Sequence, residues 1–250
     1  MVVLFLHCLT NQTMRFLFFI ALLIVPAAVA DSTGFHRMLE NAKVLGVDVS
    51  RHQKQIDWEV VAAKEPIHFA FVKATEGSDF QDTMFCHNWE KLDKMPLHRG
   101  AYHFFRGYGC GYEQARHFLT TVEMRPGDLP PVLDIETLDD TSPEQVTEQA
   151  KIWLETVEQT LGIRPIVYSN QRFYERFLAG TGIEKYPLWI ARYHEEHPVL
   201  KDGRWWTFWQ YSNEGCVEGI SEKVDMNVFP GTLEMLEELC WEPAVTNALP

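Results

Sequence analysis

The chain has 250 residues, 46% hydrophobic and 23% charged, enough apolar content and length to bury a full core in one large domain or two small ones. A formal net charge of −13 argues against a nucleic-acid partner, because binding phosphates needs a basic face. The aromatic share of 13%, with 8 tryptophans, suits core packing and also stacking against sugar rings.

The N-terminus reads as an export signal. Met14-Arg15 precedes the apolar run from Phe16 to Val25, followed by Pro26 and the small-x-small triplet Ala28-Val29-Ala30, so residues 1–30 are expected to be removed before Asp31. Met14 is an alternative start. The run is short for a membrane span, and an uncleaved anchor is the alternative to a periplasmic or extracellular protein. Residues 31–43 form a lead-in, 44–240 the folded domain and 241–250 a loose tail. After cleavage Cys86, Cys110, Cys216 and Cys240 remain, so buried thiols or disulfides in one of three pairings are expected, and their spacing does not fit a zinc site.

From Val44 a single pattern repeats, in which a short apolar strand ends in polar residues and a helical stretch often follows. Strands are predicted over 44–50, 68–75, 100–105, 131–136, 165–170, 188–193, 207–212 and 223–229. Helices are predicted over 57–64, 82–94, 111–124, 171–179 and 232–240. The strongest helix signal follows Ser142, which can cap, with Pro143 opening the helix, Glu144 and Glu148 in the first turns and Gly162 after its end. Strands alternating with helices predict a parallel sheet, and about eight repeats predict closure into a TIM-like (β/α) barrel. The connections 194–206 and 213–222 are too short for crossover helices. The α/β barrel is therefore expected to be helix-poor on one side, with antiparallel strands there.

Polar residues fall at the C-terminal ends of nearly every predicted strand: Asp48 and Ser50, Lys73, Tyr102 and His103, Asp134 and Glu136, Tyr168 and Asn170, Arg192, Gln210, Asp225 and Asn227. In such a barrel these ends converge on one face, where active sites are built. Taken singly, each could be a turn residue or a cap, and Asp48 or Asp225 could be a strand-end ion pair with Arg192, Lys73 or Lys223. In "LDIE" the alternation of side chains puts Asp134 and Glu136 on the same side of their strand. Two carboxylates that close raise each other's pKa, and glycoside cleavage needs such a pair: an acid for the leaving oxygen and a negative group for the oxocarbenium-like centre or for water. One is expected to hold a proton, Glu136, while hydrogen bonds keep Asp134 ionised. No metal site is expected, since His52, His68 and His103 lie on different elements, and no cofactor motif or nucleophile elbow is present.

"GVDVSRHQKQIDW", "FAFVKATEG", "RGAYHFFR", "PVLDIE", "PIVYSN", "LWIARY", "FWQYS" and "VDMNVF", in this order from Val44 to Phe229, together resemble the lysozymes of glycoside hydrolase family 25. The resemblance implies a modified β/α barrel and N-acetylmuramidase activity on peptidoglycan glycan strands. Carried over by position, it makes Glu136 the general acid, Asp134 its partner in the second half of the reaction, and Asp48 and Asp225 the residues flanking the cleavage subsite. Tyr102, Tyr168, Arg192, Gln210 and Lys73 then line the groove, with the Tyr102 ring stacking on substrate and its removal costing the fold little. The expected protein is a monomer. The rival is a glycan-binding protein that has lost the chemistry, against which stands the presence of all four carboxylates.

Overall fold

β-branched and aromatic runs supply strands that bury both faces, and the computed structural model, which describes residues 44–194 and 196–243, closes eight of them into a ring. β1 (Val44–Val49) lies parallel to β2 (Ile67–Glu76), which carries the short β3 (Phe80–Gln81) as a hairpin outside the ring. The parallel series continues through β4 (His98–Phe104), β5 (Val132–Asp134), β6 (Ile166–Asn170), β7 (Leu188–Ala191) and β8 (Phe208–Gly215). β9 (Val224–Phe229) is antiparallel to both β8 and β1 and closes the barrel. The short link from β8 forces this reversal, since a parallel return would need a crossover of a dozen or more residues. The helix-poor side lies where the short connections predict it.

The helices are α1 (Trp58–Lys64), α2 (Phe85–Leu92), α3 (Gly111–Thr121), α4 (Pro143–Leu161), a single turn α5 (Gln171–Phe173) continuing as a π-turn over Tyr174–Leu178, and α6 (Leu233–Glu237). α4 starts as its sequence predicts: Ser142 accepts from the Gln145 N–H, Pro143 occupies the first turn, and Gly162 ends it at φ 72°. Its buried stripe, Val146, Ala150, Trp153, Leu154 and Val157, packs on the sheet. The region 171–179 is helical through Leu178, its second part as a π-turn, while 232–240 holds a shorter helix than its periodicity suggests.

Alternation divides each strand between two cores. On β1, Val47 and Val49 face the helix layer while Asp48 faces the barrel's axis. The interior is filled by Phe69, Phe71, Trp189, Phe208 and Phe229, with Phe71 stacked on Trp189 at 4.6 Å between ring centres. That filling explains Gly46, where a Cβ would stand 2.3 Å from the Phe69 ring, and Gly100, 2.4 Å from that of Phe71. The aromatic plug makes the barrel a packed core and leaves only its mouth open for a ligand.

Cys86, Cys110 and Cys216 are exposed and Cys240 is half-buried, and all four are unpaired, which corrects the expectation of buried thiols or disulfides. Three of them have other neighbours: Cys86 lies beside Gln81, Cys216 beside Lys223 and Cys240 beside His98. The export signal, the lead-in and residues 244–250 lie outside the described residues. Among the described residues no helix is long and apolar enough to cross a membrane.

Candidate active site

At the C-terminal mouth of the barrel a cavity of about 250 Å³ collects side chains from all eight strands of the ring and from the loops that follow them. Asp48, Lys73, Tyr102, Asp134, Glu136, Tyr168, Gln210 and Asp225 all line it. Asp48 is the most heavily bonded of the four carboxyls. Its Oδ2 accepts from Gln210 Nε2 and from Asn227 Nδ2, each at 2.8 Å. Both amides are held in that orientation from behind: Asn227 Oδ1 accepts from Trp189 Nε1 at 2.9 Å, and Gln210 Oε1 accepts from the hydroxyls of Tyr168 at 3.0 Å and Tyr193 at 2.9 Å. Burial first, and then the charge of Asp225, push the Asp48 carboxyl up to about 8. Asp225 is also raised by burial, but a hydrogen bond from Asp48 holds it back, so Asp48 is the proton's owner and donates it to Asp225.

Asp134 ends β5, and Glu136 lies just beyond the strand, after a last backbone bond from Ile135 N–H to the Tyr168 carbonyl. Asp134 is buried, and its Oδ1 has no hydrogen-bond partner among the described residues. Burial, and next the negative charge of Glu136, raise it well above the carboxylate range, while Lys73 opposes them. The expectation that hydrogen bonds keep Asp134 ionised is therefore corrected, since its buried Oδ1 receives none among the described residues. Glu136 is half-buried and also raised by burial, with the Lys73 ammonium and a hydrogen bond from Asn170 pulling it back. Asn170 Oδ1 caps the turn at the Phe173 N–H, 2.9 Å away, which turns its amide N–H groups toward the acid. Asp134 and Glu136 thus both resist ionisation, and the Lys73 ammonium opposes that in each. Among the described residues no three His, Cys, Asp or Glu side chains are placed to hold a metal ion.

The sequence profile of the Glycosyl hydrolases family 25 matches residues 47–220, most of the described chain. The chain belongs to glycosyl hydrolase family 25. It is 43% identical over 196 residues to YegX of Escherichia coli, an uncharacterized protein, covering 77% of this chain and 71% of that one. Lysozyme M1 of Streptomyces globisporus is 31% identical, with 79% of this chain and 71% of that one covered. Among solved structures, a family 25 glycosyl hydrolase from Bacillus anthracis superposes with a TM-score of 0.74 at 36% identity, over 79% of this chain and 93% of that one. The protein is a glycoside hydrolase of this family on a helix-poor TIM-like barrel.

Within the family 25 site, eight of the nine residues expected from sequence come together. Arg192 does not: it is absent from the cavity's lining, and its Nη1 donates to the His197 carbonyl at 3.0 Å, bracing the loop after β7. The next residue, Tyr193, lines the cavity in its place. β7 ends at Ala191, so past that point strand alternation no longer tells which side chain turns inward. Trp189, Ser50, His52 and Phe104 also line the mouth. Trp189 could have been found by counting inward two residues from Ala191, whereas His52 and Phe104 carry no distinguishing signal.

Proposed function

We propose that this family 25 hydrolase is a lysozyme, an N-acetylmuramidase that cuts the β-1,4 bond from N-acetylmuramic acid to N-acetylglucosamine in peptidoglycan. The observation that carries this reading is the pairing of Glu136, a carboxyl inclined to keep its proton, with Asp134, whose buried Oδ1 lacks a partner. Glu136 protonates the glycosidic oxygen as the bond to the anomeric carbon breaks. In the reactive state Asp134 has lost its proton to solvent, so its carboxylate stabilises the positive charge that grows on the sugar ring, and its orphaned oxygen can accept the N–H of the substrate's 2-acetamido group. Water then adds to the anomeric carbon, and the Glu136 carboxylate takes its proton. Asp48 and Asp225 border the reacting sugar, and Tyr102, Tyr168 and Trp189 offer ring surface.

Lysozyme M1, an autolytic lysozyme of Clostridium acetobutylicum, 28% identical, and an N,O-diacetylmuramidase of Arthroderma benhamiae support the substrate class. The protein would act as a monomer on glycan strands, in catabolism or remodelling of the wall, after export and cleavage before Asp31. Release of reducing ends from purified peptidoglycan tests the reading. Binding to the same material without release would favour the glycan-binding alternative.

A further inference from the structure

Behind the acid pair runs a chain of ions that the catalytic carboxylates do not include. Lys73 Nζ bonds Glu76 Oε2 at 2.6 Å, Glu76 Oε1 accepts from Arg106 Nε at 3.0 Å, and Arg106 Nη1 reaches Asp139 Oδ1 at 3.0 Å. Each end of this chain has a task. At one end a one-residue bulge at Ala74, where Lys73 pairs with Tyr102 but Thr75 with His103, re-aims β2 beside the cavity that Lys73 lines. At the other end Asp139 lies three residues after Glu136. Its second oxygen accepts the Gly107 N–H at 2.9 Å, and Thr137 Oγ1 bonds Asp139 Oδ1 at 3.1 Å. Asp139 and Asp140 both hold left-handed backbone, φ 49° and 62°, a conformation that costs non-glycine residues energy and persists only where neighbours enforce it.

Arg106 is itself fixed from below. Gln114 clamps its backbone at both ends, accepting from Arg106 N and donating to Arg106 O, each at 2.9 Å. Gln114 Oε1 also accepts from His103 Nε2 at 3.1 Å, and the Thr75 hydroxyl donates to His103 Nδ1 at 2.7 Å. His103 is fully buried and stacked on Trp153, 5.6 Å between ring centres, so the imidazole is a neutral strut.

We propose that Arg106 is a positioning residue for the hydrolysis: through Glu76 it holds the Lys73 ammonium beside Asp134 and Glu136, and through Asp139 it holds the loop that carries Glu136. The inference rests on the muramidase reading for its link to turnover. Glu76 and Asp139 each neutralise part of Arg106, and Glu76 shares its charge with Lys73, so the chain sets how much positive field reaches the acids. Glu136 is faced by Asp134 on β5, Lys73 on β2, Asp48 on β1, Asp225 on β9, Tyr168 on β6 and Tyr193 after β7. Tyr102 on β4 and His52 after β1 complete the titratable lining of the mouth.

Two single substitutions push this field in opposite directions. Glu76→Gln leaves Lys73 without its counter-ion, and the basic limb of the kcat profile is expected to move to lower pH by about one unit. Arg106→Gln removes a positive charge and the clamp, so the same limb moves to higher pH while kcat falls about 10²-fold with KM much less affected. Asp139→Asn loosens the loop and also frees part of the Arg106 charge, so it should lower kcat and move the basic limb slightly to lower pH. Carboxyl NMR of Glu136 in the full-length variants reads the opposed shifts without turnover, and Arg106→Lys, which keeps the charge but loses the fork, should restore the titration but not kcat. A Glu136 titration unchanged in both Glu76→Gln and Arg106→Gln, with activity falling only as melting temperature falls, would overturn the proposal. If Arg106→Gln does not fold, Glu76→Gln and Asp139→Asn decide it alone: an unmoved titration in the first and an undiminished kcat in the second would overturn it. A wild-type protein that releases no reducing ends would instead sink the muramidase reading, while the NMR titrations still judge the coupling.

Discussion

Asp48 on β1 and Asp225 on β9 stand directly opposite each other across an antiparallel pair, two acids where a sheet normally avoids like charges. The arrangement holds because they do not carry two charges: Asp48 keeps a proton and gives it to Asp225, while two amides support its other oxygen. Asp48 is raised from 3.8 to about 8, so the unfolded chain releases this proton at lower pH than the native one does. Stability is therefore expected to be highest below the ordinary carboxylate pKa as far as this group is concerned, and to decline as pH rises until the native Asp48 ionises. Asp134, raised well above its ordinary value, adds a decline of the same sign. Asp48→Asn should flatten the loss of melting temperature across that interval. A slope identical to wild type would mean that Asp48 is ionised throughout.

The buried imidazole works in the other direction. His103 is lowered from 6.5 to about 3 by burial, so the unfolded chain takes up a proton that the native one refuses. Its contribution is complete above 6.5 and is lost as pH falls toward 3. Above the ordinary carboxylate pKa of 3.8 the two raised carboxyls outweigh the single imidazole, so these groups together place the stability maximum near that pKa. Thermal melts of His103→Gln should show a weaker loss on the acid side, whatever the variant's overall stability.

Gln210 bonds three groups at once, the buried Asp48 Oδ2 and Tyr168 hydroxyl and the hydroxyl of the half-exposed Tyr193. Gln210→Leu matches its bulk but removes all three bonds, leaving Asp48 Oδ2 to Asn227 alone, at about 1–3 kcal/mol for a buried group left unsatisfied. The measured loss in denaturant unfolding should exceed that of Tyr193→Phe, which removes one donor from a half-exposed ring and leaves the amide bonded to Tyr168. Equal losses would show that the amide is not the hub.

Most of the ring and most of its mouth were legible in the sequence because strand ends in a closed parallel sheet must converge. Asp48, Asp134 and Asp225 follow from alternation alone. Glu136 kept its place although β5 stops at Asp134, since Ile135 still bonds the Tyr168 carbonyl and carries the alternation one step further. Arg192 shows the limit: one residue past the end of β7 it turns to the His197 carbonyl, and Tyr193 takes the cavity. The ion chain from Lys73 to Asp139 was illegible for a different reason, since it depends on a bulge and on left-handed aspartates that no pattern of residue types announces.

Tyr102 lines the cavity but is buried within the barrel's interior cluster, which revises the expectation that its removal costs the fold little. Tyr102→Ala should destabilise by about 3–5 kcal/mol, as large-to-small changes of buried aromatics do. Tyr102→Phe keeps the ring and should melt close to wild type. Comparing glycan binding of the phenylalanine variant with wild type isolates the hydroxyl. A small melting shift for the alanine variant would return the ring to the substrate's side of the wall.

The acid pair carries the sharpest test. Glu136→Gln keeps shape and hydrogen bonding but has no proton to give, so release of reducing ends should fall by about two to four orders of magnitude while peptidoglycan binding persists. The substitution also removes the charge that helps to hold Asp134 above its ordinary range, so Asp134 should ionise at lower pH in this variant. Asp134→Asn should cost turnover as well, because a neutral amide cannot offset the charge on the sugar ring, and the basic limb should move to lower pH as Glu136 loses its neighbour. Because the two carboxyls titrate as a pair, each shift is to be read from carboxyl NMR of the variant that retains a single acid. Near wild-type cleavage by Glu136→Gln would falsify the assignment, and the proton would then have to come from another carboxyl of the cavity, Asp48, pushed up to about 8, or Asp225.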